Sequence, residues 1–252
     1  MALVYSVGIM DAVTVSNFDG GDAVEMFGGR ATACQFDSYD TAVVSASGST
    51  LSQCDIYGKI GVDTTNGADA RIENCSITGD GDAGILFAGG REILTGSNVY
   101  LANGTTGTND AAIRVNCSGE QGPQISHCEI QGSGANGIVV VAGDDTMITS
   151  CRFNTAPDDH IDIAGGNRTM VTGCKFQAGT SVNHMINVTG GTDAYIVNND
   201  LRGTVGTAVF ADAGTATENM DQGNAPVRDN RVWRLPSRPW QRSRTRSRST
   251  RP

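Results

Sequence analysis

The sequence predicts an all-β protein in which one chain winds into a parallel solenoid of about ten coils. Three observations predict it. A six-residue pattern, apolar–x–x–small or polar–x–apolar, recurs ten times between residues 13 and 232. A second apolar position lies between successive copies and is often followed by glycine. The composition agrees, because 33 glycines, six prolines and 6% aromatic residues suit short strands and tight turns better than packed helices.

In chain order the copies are VTVSNF (13–18), ATACQF (31–36), LSQCDI (51–56), IENCSI (72–77), LTGSNV (94–99), ISHCEI (125–130), ITSCRF (148–153), VTGCKF (171–176), IVNNDL (196–201) and VRDNRV (227–232). Their fourth residues are Ser16, Cys34, Cys54, Cys75, Ser97, Cys128, Cys151, Cys174, Asn199 and Asn230, 18 to 31 residues apart, with the long steps read as loop insertions. Between them lie pairs such as Ile85/Phe87, Ile113/Val115, Ile138/Val140, Ile161/Ile163 and Ile186/Val188. Alternation of period two inside each run indicates a strand with one inward face. The step of three from Ile148 to Cys151 breaks that period and predicts a sharp bend there.

A unit of about 22 residues cannot bury its own inward face, whereas stacking units at about 4.8 Å per coil buries it continuously. Ten coils then make a rod on the order of 50 Å long. The repeat and its Gly-rich turns resemble the single-stranded right-handed parallel β-helix of the pectin-lyase-like superfamily, over about residues 2–232. That superfamily includes polysaccharide lyases, glycoside hydrolases, viral tailspikes, adhesins and periplasmic accessory proteins, so the fold does not choose an activity. Leucine-rich repeats share the period but need a regular LxxLxLxxN pattern, and calcium-binding nonapeptide rolls need repeated GGxGxD; neither pattern occurs.

The net charge of −9 conceals two regions. From Arg231 to Pro252 there are eight arginines and no acid, which leaves residues 1–230 with ten basic and 27 acidic side chains, a net of −17. An Arg/Ser-rich disordered tail is expected at 233–252, following a β-helix domain at 1–232. The Asp-rich body, with only Lys59 and Lys175 as lysines, repels nucleic acid and fits a soluble acidic protein or one adapted to high salt. The longest aliphatic run, Ile138 to Val141, is far too short to span a bilayer. MALVYSVGIM has no basic segment and no sustained apolar segment of a signal peptide, so an extracellular or cell-surface location requires an export signal upstream.

Cys34, Cys54, Cys75, Cys128, Cys151 and Cys174, with Asn199 and Asn230, are expected to form a buried structural ladder. Disulfides between coils are disfavoured, because stacked Cβ atoms sit at the strand spacing of about 4.8 Å rather than the roughly 3.8 Å a disulfide prefers. Cys117 lies off the ladder. The densest ionisable group is Asp158, Asp159, His160 and Asp162, the candidate catalytic residues. Strand alternation points His160 and Asp162 outward, opposite Ile161 and Ile163. The repeat offset puts Asn136 and His184 in the column of Asp159, and Val139 and Asn187 in that of Asp162; Asn136, His184 and Asn187 are the candidate substrate-binding residues. Asp144 and Asp145, in a turn one coil earlier, are candidate calcium ligands.

Such a column suits sugar hydroxyls or, with calcium, uronate carboxylates. The resemblance implies a polysaccharide or cell-surface glycan as partner, and a pectate-lyase-like or glycosidase-like enzyme. A lyase base would be Arg or Lys, and Arg152, Arg168 and Lys175 fall in other columns. The alternative is a structural solenoid, a surface adhesin or a viral fibre or tailspike module that assembles as a trimer.

Overall fold

A computed structural model describes residues 4–213 apart from 7, 18–19, 66, 68, 106–108, 134, 178–181, 203–204 and 206–209. Each coil contributes strands to three faces. The first face is a nine-stranded parallel sheet: Ile9–Asp11, Arg30–Thr32, Thr50–Ser52, Arg71–Glu73, Ile93–Thr95, Gln124–Ser126, Met147–Thr149, Met170–Thr172 and Tyr195–Val197. The second face includes Gln35–Ser38, Asn98–Leu101, Glu129–Gly132, Arg152–Phe153 and Lys175–Phe176. The third face includes Thr41–Ser45, Ala111–Gln121, Asn136–Asp144, Asp159–Ile163 and His184–Val188. Asp55–Asp63 and Ser76–Phe87 run unbroken from the second face to the third, which joins the two into one sheet of 16 strands.

The predicted bend is a single left-handed residue between the first and second faces. Ala33, Gln53, Asn74, Gly96, His127, Ser150, Gly173 and Asn198 all have φ between 53° and 67°. Only two of the eight are glycine, although a side chain at positive φ is strained. Coil-to-coil bonding holds the conformation, with Gln53 N–H donating to Glu73 O at 3.0 Å and Ser150 N–H to Thr172 O at 2.9 Å.

The residue after the corner is the ladder, and its own N–H points at the ladder side chain one coil on. Cys54 N–H reaches Cys75 Sγ at 3.5 Å, Cys75 N–H reaches Ser97 Oγ at 3.1 Å, and Cys174 N–H reaches Asn199 Oδ1 at 2.9 Å. The same side chains donate back to main-chain oxygens: Cys75 Sγ to Glu73 O, Ser97 Oγ to Thr95 O and Asn199 Nδ2 to Val171 O. The position therefore selects short side chains that both accept and donate, so Cys, Ser and Asn interchange. All seven cysteines are buried and free.

The first coil departs from the expected register. Met10 pairs with Ala31 and Val15 with Phe36, and Ala12 carries the corner φ of 52°. Its repeat is thus residues 10–15, with Val13 at the ladder position, while Ser16 sits exposed on the second face. VTVSNF matched by composition three residues out of phase. The tenth copy with Asn230, and the tail at 233–252, lie outside the described residues.

Candidate functional site

The third face begins with a corner that breaks strand alternation. Ala42, Gly61, Gly84, Ala112, Gly137, His160 and Met185 stack at one register position, between the paired columns on either side. They are buried together with the residues that follow them, such as Val43, Ile113 and Ile161. A Cβ on Gly137 would lie 2.5 Å from His160 O and 3.1 Å from Phe153 Cδ1, which confirms that this column points into the core.

His160 is therefore not on the outer face. It is wholly buried against Phe153 and Phe176, with ring centroids 5.9 and 5.8 Å away, and those two rings stack on each other at 4.9 Å. Its Nε2 lies 2.9 Å from Gln177 O. A carbonyl only accepts, so Nε2 carries the proton, and Nδ1 is left without a partner. Burial lowers the pKa below the ordinary imidazole value, against the smaller opposing effects of Gln177 O and Asp159. His160 is a neutral core residue, and its column of Ala, Gly and Met was the sequence signal for it.

Asp159 is 5% exposed and engaged on both oxygens. Oδ1 accepts from His184 N–H at 3.1 Å and lies 2.7 Å from His184 Nδ1, while Oδ2 accepts from Asn187 Nδ2 at 2.7 Å. Asn136, expected to touch substrate, is buried instead; its Oδ1 accepts the Asp159 N–H at 3.1 Å and its Nδ2 faces Asp110 O at 3.4 Å. Asp158 is partly buried and accepts from Asn183 Nδ2 at 2.8 Å.

Asp162, like Asp158, is only half-buried, and it lies on the outer side of the strand. It pairs in register with Val139 on one side and Asn187 on the other, as the repeat offset predicts. Its Oδ1 accepts from Thr189 Oγ1 at 3.0 Å. Burial pushes its pKa up to about 6, with Asp159 and Asp158 adding to the rise and the Thr189 bond opposing it.

One rung beyond Val139 the same column reaches Arg114, whose Nε has no hydrogen-bond partner. Two rung spacings separate Arg114 from Asp162, about 9.6 Å along the stack. Aligning the apolar pairs Ile113/Val115, Ile138/Val140 and Ile161/Ile163, which bracket residues 114, 139 and 162, would have found this arginine. Val139, between them, is fully buried.

The calcium expectation for Asp144 and Asp145 meets a different arrangement. Residues 69, 91, 145, 168 and 193 occupy a second left-handed corner, and there Arg168 Nε and Nη2 hold both oxygens of Asp145 at 2.7 and 2.8 Å. Asp144 Oδ1 accepts from the Asn167 N–H and Nδ2, and its other oxygen lies 3.8 Å from Arg168. The guanidinium takes the place a cation would need. Among the described residues no three His, Cys, Asp or Glu side chains are placed to share a metal ion.

Sequence reading also passed over Glu92, which is fully buried and accepts from Thr64 Oγ1 at 2.7 Å and from the Gly89 and Gly90 N–H groups at 2.9 and 2.8 Å. It braces the turn after Phe87. Beside it Cys117 is buried, and burial, then Glu92, pushes its thiol pKa up to about 12, so it is inert as a nucleophile.

A family described as right handed beta helix region matches residues 111–234. The chain is a right-handed parallel β-helix repeat protein, an architecture consistent with the pectin-lyase-like superfamily. Two solved structures of trypsin-treated variants of QnrB1, a plasmid-mediated fluoroquinolone resistance protein, are similar at low identity. One is 13% identical, covers 83% of this chain and 92% of that one, and has a TM-score of 0.30. The other is 16% identical, covers 91% and 92%, and has the same TM-score. Overlap this shallow carries no argument about function. No curated protein matches the chain. Among the described residues no helix is long and apolar enough to cross a membrane.

Proposed function

We propose that this is an extracytoplasmic polysaccharide-interacting β-helix protein that engages a cell-surface or extracellular glycan through the outer side of its third face, as a binding module or as a lyase- or glycosidase-like enzyme. The observation that carries the reading is Asp162, a half-buried carboxyl with a pKa near 6 between Asn187, Thr189 and, across Val139, Arg114. A carboxyl of that pKa both donates and accepts near neutral pH, as sugar hydroxyls and acid–base chemistry require. Catalysis would fall to Asp162, with Arg114 as the nearest cation of its column. Asp159 acts behind it, holding His184 and Asn187.

The test is incubation with polygalacturonate and calcium, following the ultraviolet absorbance of unsaturated products, together with a glycan array. Asp162→Ala should abolish turnover or weaken glycan binding at least tenfold. Unchanged behaviour in Asp162→Ala and Arg114→Ala alike would remove the third face from the reading. A structural solenoid is the second reading, and the saturation of Asp159 and Asn136 by their own neighbours favours it. It predicts no glycan binding, and a trimer or filament on sizing.

A further inference from the structure

We propose that Arg152 and Lys175, on the second face, form an oxyanion site that takes carboxylate or sulfate groups, either pendant on an acidic sugar chain or free. The pendant case rests on the glycan reading above, and the free case does not. The two residues pair directly in register on adjacent parallel strands, so their side chains leave the sheet about 4.8 Å apart. Both are exposed. Like charges placed opposite each other across strands are destabilising, and in a chain with 27 acidic and 18 basic residues partners for a cation are plentiful.

Five other basic side chains are matched: Lys59 to Asp82, Arg71 to Glu73, Arg91 to Asp69, Arg168 to Asp145 and Arg202 to Asp200; Arg30 bonds to Thr32 Oγ1, and Arg114 stands alone in its column on the third face. Among the described residues no carboxylate lies within ion-pair distance of Arg152 or Lys175. The acids on the neighbouring rungs, Glu129 and Asp200, hydrogen-bond to other side chains; Arg202 is the main cause of the lowered Asp200 pKa, and Lys175 adds to it through space without an ion pair. Glu129 accepts from Asn154, and Asp200 is held at both oxygens by Arg202.

The two cations also line a surface cavity of about 290 Å³, together with Phe153, Phe176 and Gln177. This is near the lower end of small-ligand cavities, which run roughly 300–1,000 Å³. Its wall is anchored from inside, because the buried His160 holds the main-chain oxygen of Gln177. An oxyanion here would receive a planar pair of N–H groups from Arg152 and a point charge from Lys175, a combination suited to carboxylate and sulfate. The coil turns from this site directly into the third face, through residues 154–158 in one coil, so a sugar chain on that face would bring its acidic substituents here.

The experiment titrates the full chain by calorimetry at low ionic strength with sodium sulfate, tetragalacturonate and the neutral cellotetraose. The charge-removing double variant Arg152→Gln/Lys175→Gln is compared with Lys59→Gln, and thermal unfolding checks that both are folded. Expected are binding of sulfate, weakened at least tenfold in the double variant and unchanged in Lys59→Gln, and an affinity that falls with added salt. Sulfate binding without tetragalacturonate binding establishes a free-anion site and counts against the glycan reading. Tetragalacturonate affinity that survives in the double variant overturns the site while sparing the third face. No binding of either anion to the natural chain overturns the proposal outright.

Discussion

Replacing Asp159 by alanine separates structural work from chemistry in the acidic group. The residue is 5% exposed and its carboxylate satisfies three donors: the His184 N–H, the His184 ring and the Asn187 amide. A fully buried donor left unpaired costs about 1–3 kcal/mol. His184 and Asn187 are only partly buried and recover part of that from water, so the three together should cost about 3 kcal/mol. For a chain of this size each kcal/mol lowers the melting temperature by roughly 2–4 °C, so Asp159→Ala should melt about 6–12 °C early. Asp159→Asn keeps one accepting oxygen, and the Asn187 amide can turn to meet its new donor, so about 1 kcal/mol, roughly 2–4 °C, is expected. Differential scanning calorimetry at pH 7.5 reads both. A melting temperature for Asp159→Ala within about 1 °C of the natural chain would refute a structural role for Asp159.

The ladder and the inward corner column give further tests. Cys75→Ser retains an acceptor for Cys54 N–H and should change stability little, whereas Cys75→Ala should cost about 1–3 kcal/mol, read by urea unfolding. Gly137→Ala puts a Cβ against His160 O and should cost about 1–3 kcal/mol by overpacking. The buried neutral His160 has a depressed pKa, so its contribution is fully present above the unfolded value near 6.5 and is lost as pH falls below it. Asp162, raised from 3.8 to about 6, has the opposite sign: its contribution is present below 3.8 and lost as pH rises through about 6. His160→Met, which borrows the residue found at 185 in the same column, should therefore flatten the fall in urea midpoint between pH 7 and 5; an unchanged slope would exclude His160 as its source. Carboxyl NMR should find Asp162 titrating near pH 6, and higher still in Thr189→Val, which removes the bond that opposes the rise.

How far the sequence could be read depended on whether a position is set by the repeat or by the corner within it. Cysteine spacing gave the coils and the bend before the ladder, and the apolar pairs gave the columns joining Asp162 to Val139 and Asn187, because parallel in-register stacking keeps a residue's place within its pair from rung to rung. Alternation failed at His160 because residues 160 and 161 both turn inward where the strand rounds a corner. That corner lies inside one continuous strand in Asp55–Asp63 and Ser76–Phe87, with no break in the sequence to mark it. What marks it is the content of the column, since glycine or alanine recurs at 42, 61, 84, 112 and 137 where an outward position would vary freely. Asp159 and Asn136 depart from expectation for a related reason. Aspartate and asparagine suggest surface chemistry, but a parallel stack lets one rung's side chain serve a neighbouring rung's backbone, as Asn136 serves Asp159 and Asn199 serves Cys174. In this fold a polar side chain whose partner lies 23 or 25 residues away is evidence of stacking first. The polar groups that serve no neighbouring rung's backbone, Asp162 and Arg114 on the third face and Arg152 and Lys175 on the second, are the ones the two proposals rest on.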